Sequence, residues 1–138
     1  MPLTDDDRAF LTGPRLGFLT VDPGPDGGWP TPVPVWFEPA GQTVQLFTGP
    51  RSPKVRRIEQ RPRASLVAAN EVGEPEHWVA VEGPARIEPD GVPELAARLA
   101  ERYWDLSDPA LAAAADSWRS ADLVRIVIEA ERVTRFGG

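Results

Sequence analysis

The chain has 138 residues, 41% of them hydrophobic, which suits a single domain spanning 1–138 with its own packed core. Its 21 acids outnumber 15 basic residues, for a net charge of −6 and a pI near 4.8, a balance that argues against general nucleic-acid binding. With no cysteine, one histidine and one methionine, thiol catalysis, zinc–thiolate sites and disulfides are excluded, and no metal site is expected.

Thr4 followed by Asp5-Asp6-Asp7 predicts a helix start, with a capping hydroxyl and acids in the first turn. Phe10 and Leu11 anchor that helix and Gly13-Pro14 ends it. No basic segment followed by an apolar run precedes it, and no stretch approaches the ~20 apolar residues of a membrane span, so a soluble, cytoplasmic protein is expected. Leu16 to Val21 reads as a strand, and Asp22 to Gly28 as a loop rich in Pro and Gly.

The next expected strand, Pro30 to Phe37, carries prolines at 30, 32 and 34. Alternate N–H groups of a strand point to the same edge, so one edge has lost three successive donors. The N–H groups of Val33, Val35 and Phe37 remain for the other edge. Two readings stay open: an edge strand protected from aggregation, or an edge left free beside a ligand.

Thr43 to Thr48 is a short strand paired with its predecessor through the Ala40-Gly41 turn. Ser52 then caps a helix whose first residue is Pro53 and which Pro62 closes. Residues 63–69 and 78–87 are two further strands, the second broken or bulged near Gly83-Pro84. Residues 93–103 form an amphipathic helix with Leu95, Leu99 and Tyr103 inward, a weak helix follows from Asp108-Pro109 to Trp118, and 123–133 is a long final strand. Six strands in hairpin-compatible order with a few short helices predict a mainly β fold, a small antiparallel barrel.

Candidate chemistry concentrates at residues 51–63, where six basic side chains face one acid, Glu59. Lys54 is the only lysine of the chain. Ser52, Lys54 and Arg57 lie at the cationic start of a helix, with Arg61 close to the same direction, a pattern suited to a phosphate. Read without context, the same residues are a solvated basic helix with a capping serine. Trp36 and Trp78 are either core residues or stacking surfaces for a planar ligand, whereas Trp29, Trp104 and Trp118 have no such context. His77 reads as a surface residue. No nucleophile–base pair, metal-ligand spacing or Gly-rich dinucleotide fingerprint is present, so no catalytic residue is named and any chemistry falls to a bound cofactor.

Taken in order, Leu16-Gly17-Phe18-Leu19-Thr20, Pro32-Val33-Pro34-Val35-Trp36-Phe37, Phe47-Thr48-x3-Ser52-x-Lys54, Arg61-Pro62-Arg63-Ala64-Ser65-Leu66 and residues 78–85 resemble the pyridoxamine 5′-phosphate oxidase-like proteins. The closest likeness is to their flavin/deazaflavin oxidoreductase branch. The resemblance implies a six-stranded antiparallel split β-barrel that forms a homodimer with cofactor sites at the subunit interface, the cofactor being FMN or coenzyme F-420. It implies that Ser52 and Lys54 hold the cofactor phosphate with Arg57 or Arg61, that Val33, Pro34, Val35, Trp36 and Thr48 lie against the ring, and that Trp78 is near cofactor or partner. Hydride transfer to or from a small unsaturated or conjugated substrate is the implied activity. The arginines at 51, 56, 61 and 63 suit an oligoglutamate tail, which favours F-420. The substrate-phosphate arginines and C-terminal motif of true pyridoxamine phosphate oxidases are not found, and Pro53 lacks an N–H that could face phosphate. A non-enzymatic carrier of flavin, haem or a tetrapyrrole is the alternative, with only His77 and Met1 as ordinary haem ligands.

Overall fold

Local capping sets the first element. In the computed structural model, which describes residues 2–138, α1 (Asp5–Thr12) opens with a reciprocal capping box. The Asp7 N–H donates to Thr4 Oγ1 (3.1 Å) and the Thr4 N–H donates to Asp7 Oδ2 (2.9 Å). Asp7 therefore does more than face a helix dipole. It is 3% exposed and accepts two hydrogen bonds from Arg135, near the other end of the chain.

The strands are β1 (Gly17–Val21), β2 (Val33–Val35), β3 (Glu38–Ala40), β4 (Thr43–Thr48), β5 (Arg63–Ala69), β6 (Trp78–Glu88), β7 (Val124–Glu129) and β8 (Arg132–Phe136). All pairings are antiparallel, in the order β2-β1-β5-β6-β7-β4-β3, with β8 also on β6. The mainly β class expected from the sequence is correct, but there are eight strands where six were expected. The extra strands are β3, just past the end of the strand expected over 30–37, and β8, which starts within the strand expected over 123–133 and runs beyond it.

Of the expected strand over 30–37 only residues 33–35 pair, as β2, and a separate strand, β3, begins just past it at Glu38. β2 pairs with β1 at one end of the order, and β3 pairs with β4 at the other. Only Trp36 and Phe37 separate them, a link of at most about 10 Å between the last residue of β2 and the first of β3. The two ends of the curled sheet are therefore held side by side, and Phe37 fills the corner with no exposed surface. The prolines behave as an edge requires: Pro34 lies opposite Phe18 on a strand whose sole ladder partner is β1, and Pro30 and Pro32 fall outside any ladder.

The expected final strand splits for a different reason. β6 runs unbroken through Gly83-Pro84 but changes partners there. Residues 85–88 pair with β7 and 78–82 with β8, along one edge, while β5 holds the other edge over 78–84. A Cβ on Gly83 would lie 1.9 Å from the Glu129 carbonyl oxygen, so the chain crossing there requires glycine. Ala130 and Glu131 leave the ladder at this point, and the Ala130 N–H donates to the Gln42 carbonyl instead (2.8 Å).

Four helices complete the fold: α1, α2 (Pro53–Gln60), α3 (Val92–Tyr103) and α4 (Pro109–Ser117). Val55 and Ile58 of α2 and Leu95 and Leu99 of α3 are buried as their spacing predicts. Tyr103, the last residue of α3, pins the corner. Its hydroxyl donates to the Arg15 carbonyl (2.6 Å) and accepts from the Phe37 N–H (3.3 Å). Arg102 donates to the carbonyls that end α1, including Gly13 (2.8 Å). α4 has no buried residue. Among the described residues, no helix is long and apolar enough to cross a membrane.

Tyr103→Phe keeps the ring but leaves the Phe37 N–H and Arg15 carbonyl without this partner. The expected loss is about 1–3 kcal/mol of unfolding free energy in urea titration, the range for orphaned buried groups. The Asp7 pair predicts an acid limb to stability. Burial pushes the Asp7 carboxyl up, but the Arg135 and Thr4 hydrogen bonds and the Arg135 charge together hold it below the ordinary carboxylate value. A depressed folded-state value stabilises the fold above the unfolded carboxylate range, near 4, and that contribution is lost as pH falls through the folded value. Asp7→Asn should cost roughly 2 kcal/mol at neutral pH and flatten the acid side of a stability–pH curve; an unchanged acid limb would show that other carboxylates set it.

Candidate functional site

β4 leads directly into α2. Thr48, its last residue, pairs with Val124 of β7, and the turn closes with the Ser52 N–H donating to the Gly49 carbonyl (3.2 Å). Ser52 Oγ accepts from the Val55 N–H at a long 3.4 Å, which leaves the hydroxyl proton uncommitted. Pro53 occupies the first turn, as the sequence predicts.

Lys54 lines a cavity of about 310 Å³ together with Val35, Trp36, Phe47, Trp104 and Trp118. Three candidates from the sequence, Val35, Trp36 and Lys54, thus meet around one space. Val33 and Pro34 stay exposed on the edge strand outside this lining, and Thr48 sits half-buried one residue beyond Phe47.

The charge around α2 is unbalanced. Eight arginines have a carboxylate within 4.0 Å: Arg8, Arg15, Arg63, Arg86, Arg98, Arg119, Arg125 and Arg135. Among the described residues, Arg51, Lys54, Arg56, Arg57 and Arg61 have none. These five make up most of the lysine and arginine side chains without a carboxylate partner among the described residues, and they fall within eleven consecutive positions. Arg63 is different: it binds Asp22 (2.6 Å), whose carboxyl the Gly24 N–H and then Arg63 hold below its ordinary value. Arg61 turns toward the same loop, its guanidinium 2.5 Å from where a Cβ on Gly24 would stand. Arg57 is half-buried one helical turn beyond Lys54.

Trp78 does not reach this cavity. It lies on β6 nearly parallel to Phe136, 6.4 Å between ring centres. His77 packs its ring on Phe10 (3.8 Å), and its backbone N–H donates to Asn70 Oδ1 (3.1 Å). Met1, the other haem ligand considered, lies outside the described residues. No group of three or more His, Asp or Glu able to hold a metal occurs among the described residues.

Sequence reasoning missed Phe47, Trp104 and Trp118. Trp104 follows α3 directly and Trp118 ends α4, so each is brought to Trp36 by long-range packing. The one local signal was that Tyr103, predicted to face inward, precedes Trp104. Trp36 stacks on Tyr103 (5.0 Å, 7° between planes) and meets Trp104 and Trp118 nearly at right angles (90° and 78°). Trp104 and Trp118 are 5.4 Å apart and roughly parallel, and Phe47 lies 5.3 Å from Trp118. A larger cavity, about 750 Å³, opens by the 22–30 loop among Thr20, Ser65, Glu82, Arg63 and Arg132; it mixes both charge signs, and none of the candidate phosphate or ring residues lines it.

Solved structures match this architecture along nearly its whole length. An F-420 reductase superposes with a TM-score of 0.74 at 23% identity, covering 96% of this chain and 98% of that one. A conserved hypothetical protein from Mycobacterium tuberculosis gives 0.73 at 24% identity, with 97% and 84% covered. A FAD-binding protein from Mesorhizobium loti gives 0.61 at 20% identity, with 96% and 94% covered. No curated protein matches the chain. The family model described as pyridoxamine 5′-phosphate oxidase matches residues 3–136, nearly every residue whose fold is described above, and the chain belongs to that family.

Proposed function

We propose that the protein is an oxidoreductase that holds a phosphorylated flavin-type cofactor, coenzyme F-420 or FMN, and passes hydride to or from a small unsaturated or conjugated substrate. One observation carries this reading: Lys54, unpaired at the start of α2, shares a cavity with Val35 and Trp36 of the edge-strand segment. An anion seat beside flat apolar walls is the pairing a phosphorylated planar ring needs. Family membership supports it, as do the names of two structural neighbours, an F-420 reductase and a FAD-binding protein.

The residues fit such a group. The Ser52 hydroxyl can donate to phosphate, Lys54 offers a free ammonium, and Arg57, unpaired and one turn away, completes the charge. Arg61, turned to the Gly24 loop, is the weaker choice for that place. Once bound, the cofactor ring supplies the hydride chemistry. The chain positions it, with Val35 and Trp36 along the ring and backbone groups of 33–36 at its edge. Arg51 and Arg56, exposed and unpaired, favour F-420 by facing its oligoglutamate tail, whereas the pairing of Arg63 with Asp22 removes it from that role.

The same reading has two copies meeting on the outer face of β1, β5, β6 and β8, with the cofactor at their interface. Strand alternation turns Phe18, Val67 and Ala80 outward in one cross-strand row, and Trp78 and Phe136 in the next. Leu16, Phe18 and Phe136 are 45%, 39% and 51% exposed, a contiguous apolar surface for a second copy to cover. β2 edges this sheet, with Pro34 turned outward beside Phe18 and Val35 turned inward to the cavity, so a partner that reaches round this edge would sit beside the ring.

Titrating the cofactor-free protein with FMN, F-420 and haem tests the function. Saturable binding of F-420 or FMN is expected, with oxidation of the reduced form by an added acceptor. Lys54→Ala should weaken that binding by about 1.5 kcal/mol or more, roughly tenfold. Binding of none of the three sinks the proposal, and binding without turnover marks a carrier. Sedimentation should give twice the 15.1 kDa chain mass, falling to a single chain in Phe18→Asp; a monomeric native protein would remove the interface from the reading.

A further inference from the structure

Three of the six side chains around the Lys54 cavity, Phe47, Trp104 and Trp118, are not explained by an anion seat or an edge strand. None joins the buried core cluster, and all three stay half-buried, as does Trp36. Large aromatic side chains that gather outside a core around open space mark a binding surface more than a packing solution. Trp104 and Trp118 stand roughly parallel to one another and nearly perpendicular to Trp36. A flat ring laid along one of these walls meets the other edge to face, and both arrangements are favourable for aromatic pairs. Among the described residues, no indole N–H of the three tryptophans has a protein acceptor, and none is sealed from solvent. Such a group can donate to an acceptor on a bound molecule.

We propose that the Phe47–Trp104–Trp118 wall seats the substrate ring, selecting a planar, uncharged, conjugated molecule with a carbonyl-type acceptor. The inference rests on the cofactor reading, which assigns Lys54 to the phosphate and leaves this wall to the second ring. No charged side chain besides Lys54 lines the cavity, so an anionic substrate gains nothing once that ammonium is engaged. A saturated or sugar-like ring presents no π face to the indoles. Trp104 and Trp118 are thus the residues that decide which molecules are accepted, and both lie in the α3–α4 segment, away from the candidate residues at 33–61.

Calorimetric titration with 2-acetylnaphthalene, and with its saturated counterpart 2-acetyldecalin, tests this on cofactor-free protein. The naphthalene should bind saturably and at least tenfold more tightly than the decalin. Trp118→Leu should weaken it tenfold or more while leaving FMN or F-420 affinity within threefold, and Trp104→Leu provides the same measurement if the first variant does not fold. No saturable binding, or equal binding by wild type and both variants, overturns the proposal. A tenfold loss of flavin affinity in Trp118→Leu also overturns it, by making the wall part of the cofactor seat while the oxidoreductase reading stands. Binding of the naphthalene by protein that takes neither FMN nor F-420 would remove the cofactor, and with it the substrate role.

Discussion

The two-residue link between β2 and β3 is the constraint on which the site depends. Those strands end opposite sides of the sheet order, so joining them through Trp36 and Phe37 forces the sheet to curl until its ends meet. Successive side chains of extended backbone point in opposite directions. Phe37 enters the core and Trp36 faces the cavity with Lys54. Barrel closure and cavity wall are therefore one event. Tyr103 holds both, through hydrogen bonds to the Phe37 backbone and Arg15 and by stacking on Trp36. A shift of the corner would move the wall by the same amount, because no flexible segment lies between them.

Charge is distributed to match. In a chain of net charge −6, many arginines are engaged in joining distant elements: Arg135 to α1, Arg98 to Glu38, Arg125 to Asp90, Arg15 to Glu74. Apart from the Arg135–Asp7 pair, whose carboxylate is buried, these exposed or half-exposed pairs each contribute little to stability, but together they leave few cations over. Most of the remainder lie on or beside α2, over residues 51–61, where Glu59 is the one acid. An unpaired cluster of like charge costs stability through repulsion, and an anionic ligand relieves it. The uneven allocation, more than the presence of basic residues, is what supports the proposed anion seat at α2.

What could be read in the sequence was local. The Thr4 and Ser52 caps, the stops at Gly13 and Pro62, the inward faces of α2 and α3 and the edge character of the proline strand all follow from near neighbours, and each occurs as expected. The two changes of partner could not be read this way. Where the 30–40 segment changes partners depends on which strands lie beside each half, and the break inside the strand expected over 123–133 depends on Gly83 passing 1.9 Å (measured from its would-be Cβ) from the Glu129 carbonyl, forty-odd positions away. The candidate site divides along the same line. The Ser52–Lys54 turn and Val35–Trp36 were visible as motifs, whereas Trp104 and Trp118 carried no local signal because only tertiary packing brings them to Trp36.

α4 sharpens the point about Trp118. Ordering its nine residues costs on the order of 1 kcal/mol or more each in backbone entropy, yet none is buried. Asp108 caps its start by accepting from the Ala110 N–H (2.9 Å), and five alanines and one leucine suit the helical state, but propensity alone does not hold so short a helix in water. What fastens it is contact with α3 and the placement of Trp118 at its end against Trp104, Trp36 and Phe47. The helix adds little to the core and much to the cavity wall. If the proposed ligands occupy this cavity, occupancy and order in α4 are expected to rise together, because Trp118 both lines the cavity and closes the helix.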